Sequence, residues 1–391
     1  MTTRRTFLGG LAAASFAPAA PALAAAPARF DVRTFDRARV LRDAARYLGE
    51  APATIVAARS DRSAGGLHDF FSEGDYWWPN PADPNGPYIQ HDGETNPHNF
   101  TAHREYLLRL SIQMPALTSA WVLTGERRYA DHALAHVRAW FVDPATLMNP
   151  NLQYAQAIHG ITTGRGRGVI DTIHLVEVVR AVEVLRDARL VPAADLAAIT
   201  AWFARYADWL ATSPNGIDER EATNNHTTCW TMQLASFAGF AGNAALVAAA
   251  RERLTTVLIP KQMAPDGSFP RELERTKPYG YSLFNLEAMA TLVQLLSTPQ
   301  DDLWRWTLPD GRGMALAMSF MEPYIADKHR WPRKPDVMYD ALWPMRQASL
   351  YFAGIAYGRA DYLDVWKRLP AESDVEEANR NFFIRQPVLW S

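Results

Sequence analysis

The sequence predicts an all-α protein built as a toroid of paired helices, and three observations carry that expectation. Apolar residues recur at three- and four-residue steps along most of the chain from residue 36 onward. Glycine and proline punctuate the gaps, and alternating runs of the strand type are scarce. Helical hairpins stacked without an exact repeat fit an α/α toroid, whose inner helices line a cleft and whose outer helices face solvent. A long, irregular helical solenoid is the competing architecture.

Residues 105–123 set Leu107, Leu110, Met114, Leu117 and Trp121 at helical spacing, and residues 129–141 do the same with Tyr129, Leu134, Val137, Trp140 and Phe141. Further helices are expected over 171–188, 195–212, 229–240, 243–258, 282–297, 312–326 and 343–358. Gly125, Pro144, Pro192, Pro214, Gly242 and Pro260 mark their ends. No Gly/Ser-rich linker divides the chain, so residues 30–391 read as one domain. Two long stretches without periodicity, 60–104 and 143–170, interrupt it; insertions of that length in a compact domain are usually functional loops.

Composition narrows the function. Of 391 residues 48% are hydrophobic and 21% charged, which excludes a disordered chain and supplies a large core. The net charge of −2 gives no global basic field for a nucleic acid. The single cysteine, Cys229, rules out an intrachain disulfide framework and any multi-cysteine metal site. At the front, Arg4-Arg5 precede a short Ala/Pro-rich apolar run ending in Ala22-Leu23-Ala24. This is the pattern of a twin-arginine export signal over residues 1–24, and it predicts a periplasmic or secreted protein. The run is too short and too close to a cleavage pattern for a membrane anchor, and no later segment offers ~20 uninterrupted apolar residues.

Several clusters could carry chemistry. The first loop holds Asp75-Tyr76-Trp77-Trp78-Pro79-Asn80-Pro81, and sugar rings stack well on exposed Trp77 and Trp78; packing on helix ends is the alternative. Asn224 is suited to capping the helix that follows it, whereas Asn225-His226 combines an amide donor with an imidazole able to move a proton. Arg271, Arg275, Lys277, Tyr279 and Tyr281 precede an apolar helix, where a solvated turn is the bland reading. Gly164-Arg165-Gly166-Arg167-Gly168 follows no strand signal and lacks a Gly-Lys-Ser/Thr ending, so it is not a nucleotide loop; Arg165 and Arg167 suit a polyanion instead. Gln156 and His159 are additional subsite candidates. His132 and His136 stand four apart on a helix without the intervening Glu of a metalloprotease, and the basic run Lys328, Arg330, Arg333, Lys334 fits a solvated loop. No metal or cofactor is expected.

Taken in order, four pieces of the chain resemble the alginate lyase family of polysaccharide lyases. They are the 76–81 loop, Met148-Asn149-Pro150-Asn151-Leu152 with Gly164 to Asp171, Asn-Asn-His at 224–226, and Arg271-Glu-Leu-x-Arg275-Thr running to Tyr281-Ser-Leu-Phe-Asn-Leu. The resemblance implies an incomplete α/α toroid. It also implies a neutralising Asn at Asn225, a catalytic His at His226, an Arg at Arg275 and a Tyr at Tyr281. The Arg-to-Tyr spacing of six is one shorter than in the best-known branch, with Tyr279 two residues upstream, so the chain looks like a sister branch. Its substrate would be an acidic polysaccharide, alginate or another β-1,4-linked polyuronate such as glucuronan.

β-Elimination from a uronate asks for such groups. The proton at C5 lies beside a carboxylate on which a second negative charge must develop. Donors such as Asn225 and Arg275 offset that charge, each worth ~3 kcal/mol. A phenol titrates near 10 unless a cation biases it, so Tyr281 needs a neighbour such as Arg275 to act as base and then acid. His226 would orient the substrate, or serve as base for the C5 epimer. Two other functions compete: a helical-toroid glycoside hydrolase, which needs an essential Asp or Glu, and a non-catalytic glycan-binding protein using Trp77 and Trp78.

Overall fold

Wholly buried helices alternate with half-buried ones, and this alternation builds two layers. The computed structural model describes residues 30–391; the expected export signal at 1–24 lies outside them. After α1 (Val32–Tyr47) come α2 (Ala102–Thr124), α3 (Arg127–Phe141), α4 (Leu175–Asp187), α5 (Ala193–Thr212), α6 (Pro214–Arg220), α7 (Asn225–Phe240) and α8 (Ala244–Arg253). A π turn, Leu254–Leu258, leads into the short α9 (Ile259–Gln262) and α10 (Pro270–Leu273). Then follow α11 (Pro278–Leu296), α12 (Met314–Ala326), α13 (Ala348–Tyr357), α14 (Ala360–Arg368) and α15 (Glu376–Asn381).

Helices α2, α4, α7, α11 and α13 pack side by side in that order as the inner layer. Outside them, α1 and α3 back α2, α5 and α8 back α7, and α12 and α14 back α13. The sequences explain the division. Helix α7 carries no Asp, Glu, Lys or Arg and is buried almost throughout, whereas α8 ends in Arg251-Glu252-Arg253 and buries only Ala250. The structure is therefore the helical toroid that the periodicity predicts. Residues 32–391 form one compact unit.

Buried carboxylates tie the layers where the chain leaves a helix. Glu287 of α11 accepts the backbone N–H groups of Ala348 (2.6 Å) and Ser349 (3.0 Å), buried donors at the start of α13 that have no partner within the helix. Glu177 of α4 likewise accepts N–H groups from Arg385 and Gln386, fastening the C-terminal segment. Burial raises both carboxyls to about 7. Aromatic packing fills the space between layers: Trp202 of α5 lies 4.7 Å from Phe141 and donates its indole N–H to the Met148 carbonyl.

The two non-periodic stretches are loops that the core grips by short strands. Strand β1 (Phe71–Glu73) pairs in parallel with β4 (Tyr154–Ala157), so the loops meet, and β2 (Trp77–Trp78) pairs antiparallel with β3 (Ile89–Gln90). In the Gly164–Gly168 loop each glycine faces neighbouring atoms of Gln153, Asp218 or Ala155 so closely that a Cβ would collide. Backbone approach at the glycines turns Arg165 and Arg167 toward the cleft.

Several boundaries differ from expectation. Pro214 marks the end of α5 at Thr212 as expected and also opens α6, with Ser213 accepting the Gly216 N–H at 2.9 Å as its cap, whereas Pro260 lies inside the short α9. The helix expected from 343 begins at Ala348, because Pro344 keeps the preceding residues extended, and that expected from 171 begins at Leu175 after a tighter turn over Gly166–Thr172. Replacing Glu287 by Ala leaves two buried N–H groups unpaired. We expect it to cost roughly 1–3 kcal/mol per orphaned donor, read as a lower urea midpoint.

Candidate active site

One cleft of about 770 Å³ opens among the N-termini of α7 and α11, the two loops and α15. Asn225, His226, Arg275 and Tyr281 all line it, although 56 residues separate the first from the last. Helix α7 supplies Asn225 and His226 from its first turn; the turn after α10 supplies Arg275, and the first turn of α11 supplies Tyr281. Each is held from behind.

Asn225 donates its backbone N–H (2.6 Å) and its side-chain amide (2.7 Å) to the two oxygens of Glu272, a wholly buried residue of α10. This fixes the amide rotamer and leaves the second Nδ2 hydrogen free. Burial raises the Glu272 carboxyl to about 7, against the Asn225 donors that favour its charged form. Arg275 makes a forked ion pair with Asp92 of the first loop, Nε–Oδ2 at 3.1 Å and Nη2–Oδ1 at 2.6 Å, and Thr276 adds a hydroxyl donor to the same carboxylate. So held, its guanidinium lies 4.4 Å from the centre of the Tyr281 ring. The Nδ1 atom of His226 lies 2.5 Å from Oε1 of Glu219, a buried residue of α6 whose other oxygen takes Arg167 at 2.9 Å.

The Tyr281 hydroxyl meets the Tyr76 hydroxyl at 2.8 Å. Burial raises the Tyr281 phenol above its ordinary value, and the nearby Arg275 and the Tyr76 bond only partly offset this. Tyr76 is raised as well, chiefly by burial and then by Tyr281. Both are therefore neutral phenols at neutral pH. Lys277 sits 5.4 Å from the centre of the Tyr76 ring and pairs with Glu377 of α15 at 3.5 Å.

The deep end is a charge lattice. Arg104 bonds Asp75 (2.6 Å) and Asp171 (3.1 Å), and Arg380 of α15 reaches the same Asp75 at 2.7 Å. These two cations overcome the penalty of burial and hold the Asp75 carboxyl down to about 2. Arg165 differs: among the described residues no carboxylate lies within ion-pair distance of it. It donates to Gln156 Oε1 at 2.8 Å and lies 5.8 Å from the centre of the Trp77 ring. Gln156 itself has a left-handed backbone (φ 50°), an uncommon conformation for a non-glycine residue, beside this arginine.

Of the remaining candidates, Gln156, Arg165, Arg167, Asn224 and Arg271 line the cleft. Asn224 precedes α7 in the N-cap position but makes no side-chain capping bond. Tyr279 requires correction. Two residues from Tyr281 on one helix, it faces about 200° away; it is fully buried and donates to the Tyr324 carbonyl at 3.0 Å, so it has no access to substrate. His159 packs against Tyr88, ring centres 5.1 Å apart and tilted by 48°, in a groove with Arg62, Thr162 and Thr163, and it does not line the cleft. Trp77 and Trp78 also stand outside the lining: both pair with β3, Trp77 lies against Arg165 and Trp78 donates to the Glu94 carbonyl. His132 donates from Nε2 to the Glu50 carbonyl, and Lys328 pairs with Asp340, both away from the cleft. Among the described residues no group of three or more His, Cys, Asp or Glu could hold a metal ion, and no helix is long and apolar enough to cross a membrane.

Sequence reasoning missed Glu219, Glu272 and Asp92 as partners of the site and passed over Arg104 and Arg380. Their partners lie 7 to 305 residues away, and Glu219, seven residues before His226, is the nearest in sequence.

Comparison with known proteins bears on the fold and the family. The sequence matches the profile of the alginate lyase family over residues 54–331. Among solved structures, an alginate lyase from Bacteroides ovatus is 30% identical, with a TM-score of 0.78 over 92% of this chain and 93% of that one. Alginate lyase A1-III from Sphingomonas species A1 superposes at a TM-score of 0.56, with 14% identity over 90% and 94% of the two chains. A variant of A1-III complexed with a tetrasaccharide reaches 0.60, at 14% identity over 92% of each chain. At that identity the likeness speaks for the fold alone, the α/α toroid. No curated protein sequence matches the chain. With its profile match and its near-complete coverage of the Bacteroides enzyme, the chain belongs to the alginate lyase family of polysaccharide lyases.

Proposed function

We propose that the protein cleaves a β-1,4-linked polyuronate, polymannuronate or glucuronan, by β-elimination, leaving a 4,5-unsaturated uronate end. The observation that carries this reading is the convergence of Asn225, His226, Arg275 and Tyr281 in one cleft that also holds Arg165 without a carboxylate partner. Such a site attracts a uronate carboxylate. The free hydrogens of Asn225 and Arg275 offset the charge that builds on it as the C5 proton leaves. Tyr281 takes that proton and returns it to the departing O4 when both lie on one face, as in mannuronate and glucuronate. His226 orients the substrate or, for the C5 epimer, removes the proton. Glu219, Glu272 and Asp92 are all engaged as acceptors, which leaves them poorly suited to the acid pair of a hydrolase. We further propose that the mature enzyme works outside the cytoplasm, on the strength of Arg4-Arg5 and the Ala22-Leu23-Ala24 cleavage pattern.

A panel of polymannuronate, polyguluronate and glucuronan, followed by the ultraviolet absorbance of the unsaturated product, tests the reaction; no absorbance on any of them would refute it. Tyr281→Phe should lower kcat by about 10²–10⁴ with KM little changed. Tyr279→Phe should keep kcat and lose only the ~1 kcal/mol of one buried hydrogen bond. Asn225→Ala and Arg275→Ala should each lower kcat by ~10²–10³. Because burial holds the Tyr281 phenol above its ordinary value, its phenolate is a minor species at neutral pH and grows tenfold per pH unit below the pKa. We therefore expect log(kcat/KM) to rise with a slope near +1 from pH ~7 to ~9, and a flat profile there would remove Tyr281 as the base.

A further inference from the structure

The pair behind His226 reaches beyond the roles assigned so far. Glu219 is wholly buried, touches no solvent and does not line the cleft, so it cannot meet a substrate. Its two oxygens are divided: Oε1 faces His226 Nδ1 at 2.5 Å, and Oε2 takes Nη1 of Arg167 at 2.9 Å. A carboxylate offers only acceptors, so the imidazole atom facing it must carry the hydrogen. His226 is the second residue of α7, a helix of 16 residues. Its ring is therefore held at the helix N-terminus with Nδ1 turned to Glu219, and the hydrogen shared between ring and carboxylate sits on Nδ1.

We propose that Glu219 is a positioning residue that fixes His226 as the Nδ1–H tautomer and so presents the Nε2 lone pair to the cleft, with Arg167 balancing the charge of Glu219 from the opposite side. This rests on the reading of His226 as part of the lyase site. It assigns the ring the role of proton or hydrogen-bond acceptor toward substrate rather than donor, which separates it from Asn225 and Arg275. It also gives Arg167 a task besides attraction of a polyanion.

The substitution Glu219→Gln inverts the arrangement. Arg167 has only hydrogens to offer and claims the amide oxygen. The amide NH2 then faces His226 Nδ1, which must accept, and the ring hydrogen moves to Nε2. In a serine protease, the amide replacement of the aspartate behind the histidine costs kcat ~10⁴ through the wrong tautomer, and milder losses behind histidine ligands run to ~10–100-fold.

Long-range proton–nitrogen spectra of the full mature chain, labelled with heavy nitrogen at histidine, report the tautomer directly, with His226 assigned by the loss of its signals in His226→Gln. The expected result is an Nδ1–H ring in the wild type, an Nε2–H ring in Glu219→Gln, and a fall in kcat of at least ~10-fold with KM little changed. Glu219→Asp, which keeps the carboxylate, should retain the wild-type tautomer and recover part of kcat. An Nε2–H ring or a permanent imidazolium in the wild type would overturn the proposal; so would an unchanged tautomer and kcat in Glu219→Gln. Should the buried amide prevent folding, the wild-type spectrum decides alone. Failure of the lyase reading would appear separately, as no unsaturated product from the wild type with the tautomer unaffected.

Discussion

A carboxylate stands behind each of three groups that meet in the cleft: Glu272 behind Asn225, Glu219 behind His226 and Asp92 behind Arg275. The site depends on this arrangement. A flexible amide, imidazole or guanidinium would have to be oriented anew for every substrate, at a cost in entropy that subtracts from transition-state stabilisation. Two hydrogen bonds to Glu272 and a forked pair with Asp92 settle that orientation during folding. The orienting groups come from separate elements. Glu219 is on α6, Glu272 on α10 and Asp92 in the first loop, so the toroid has to close before the site exists.

Carboxylates also limit the positive charge of the cleft. Arg275 pairs with Asp92, Arg167 with Glu219, and Arg104 and Arg380 with Asp75, while among the described residues no carboxylate lies within ion-pair distance of Arg165, which rests on Gln156 and the face of Trp77. A uronate entering the cleft finds rigid donors already paired with an acid and one half-buried cation that is not. This distribution fits a polymer with a carboxylate on every sugar: one acidic group can be engaged at the reacting ring and another at Arg165. Burial cuts the other way at Tyr281, because the pocket that brings Arg275 over its ring also withdraws water from its phenolate.

Much of the fold was legible in the sequence, and the reasons are local. Inner helices such as α7 and α11 carry long apolar runs, so their positions follow from periodicity alone. Short helices did not show: α6 is polar and needs Ser213 and the packing of Gly216 against Leu210 to form. The site was half legible. Asn225, His226, Arg275 and Tyr281 announce themselves by residue type and by family spacing. Tyr279 was misleading, because the helix that carries both tyrosines begins at Pro278, and only that register decides which one faces the cleft. Asp92 could not be found from the sequence, since its partner lies 183 residues away. Trp77 and Trp78 were attractive as aromatic platforms, yet they do not line the cleft, and the β2–β3 pairing that holds them rests on two-residue strands with no sequence signature of their own.

The central claim is that these oriented groups break a polyuronate by elimination, with no water added across the bond. Digestion of polymannuronate in heavy-oxygen water, followed by mass spectrometry of the fragments, tests this most directly. Elimination predicts that the fragment carrying the new non-reducing end is lighter by one water than its saturated counterpart and that no heavy oxygen enters at the cleaved linkage. Saturated fragments bearing heavy oxygen at the new ends would show hydrolysis and contradict the account.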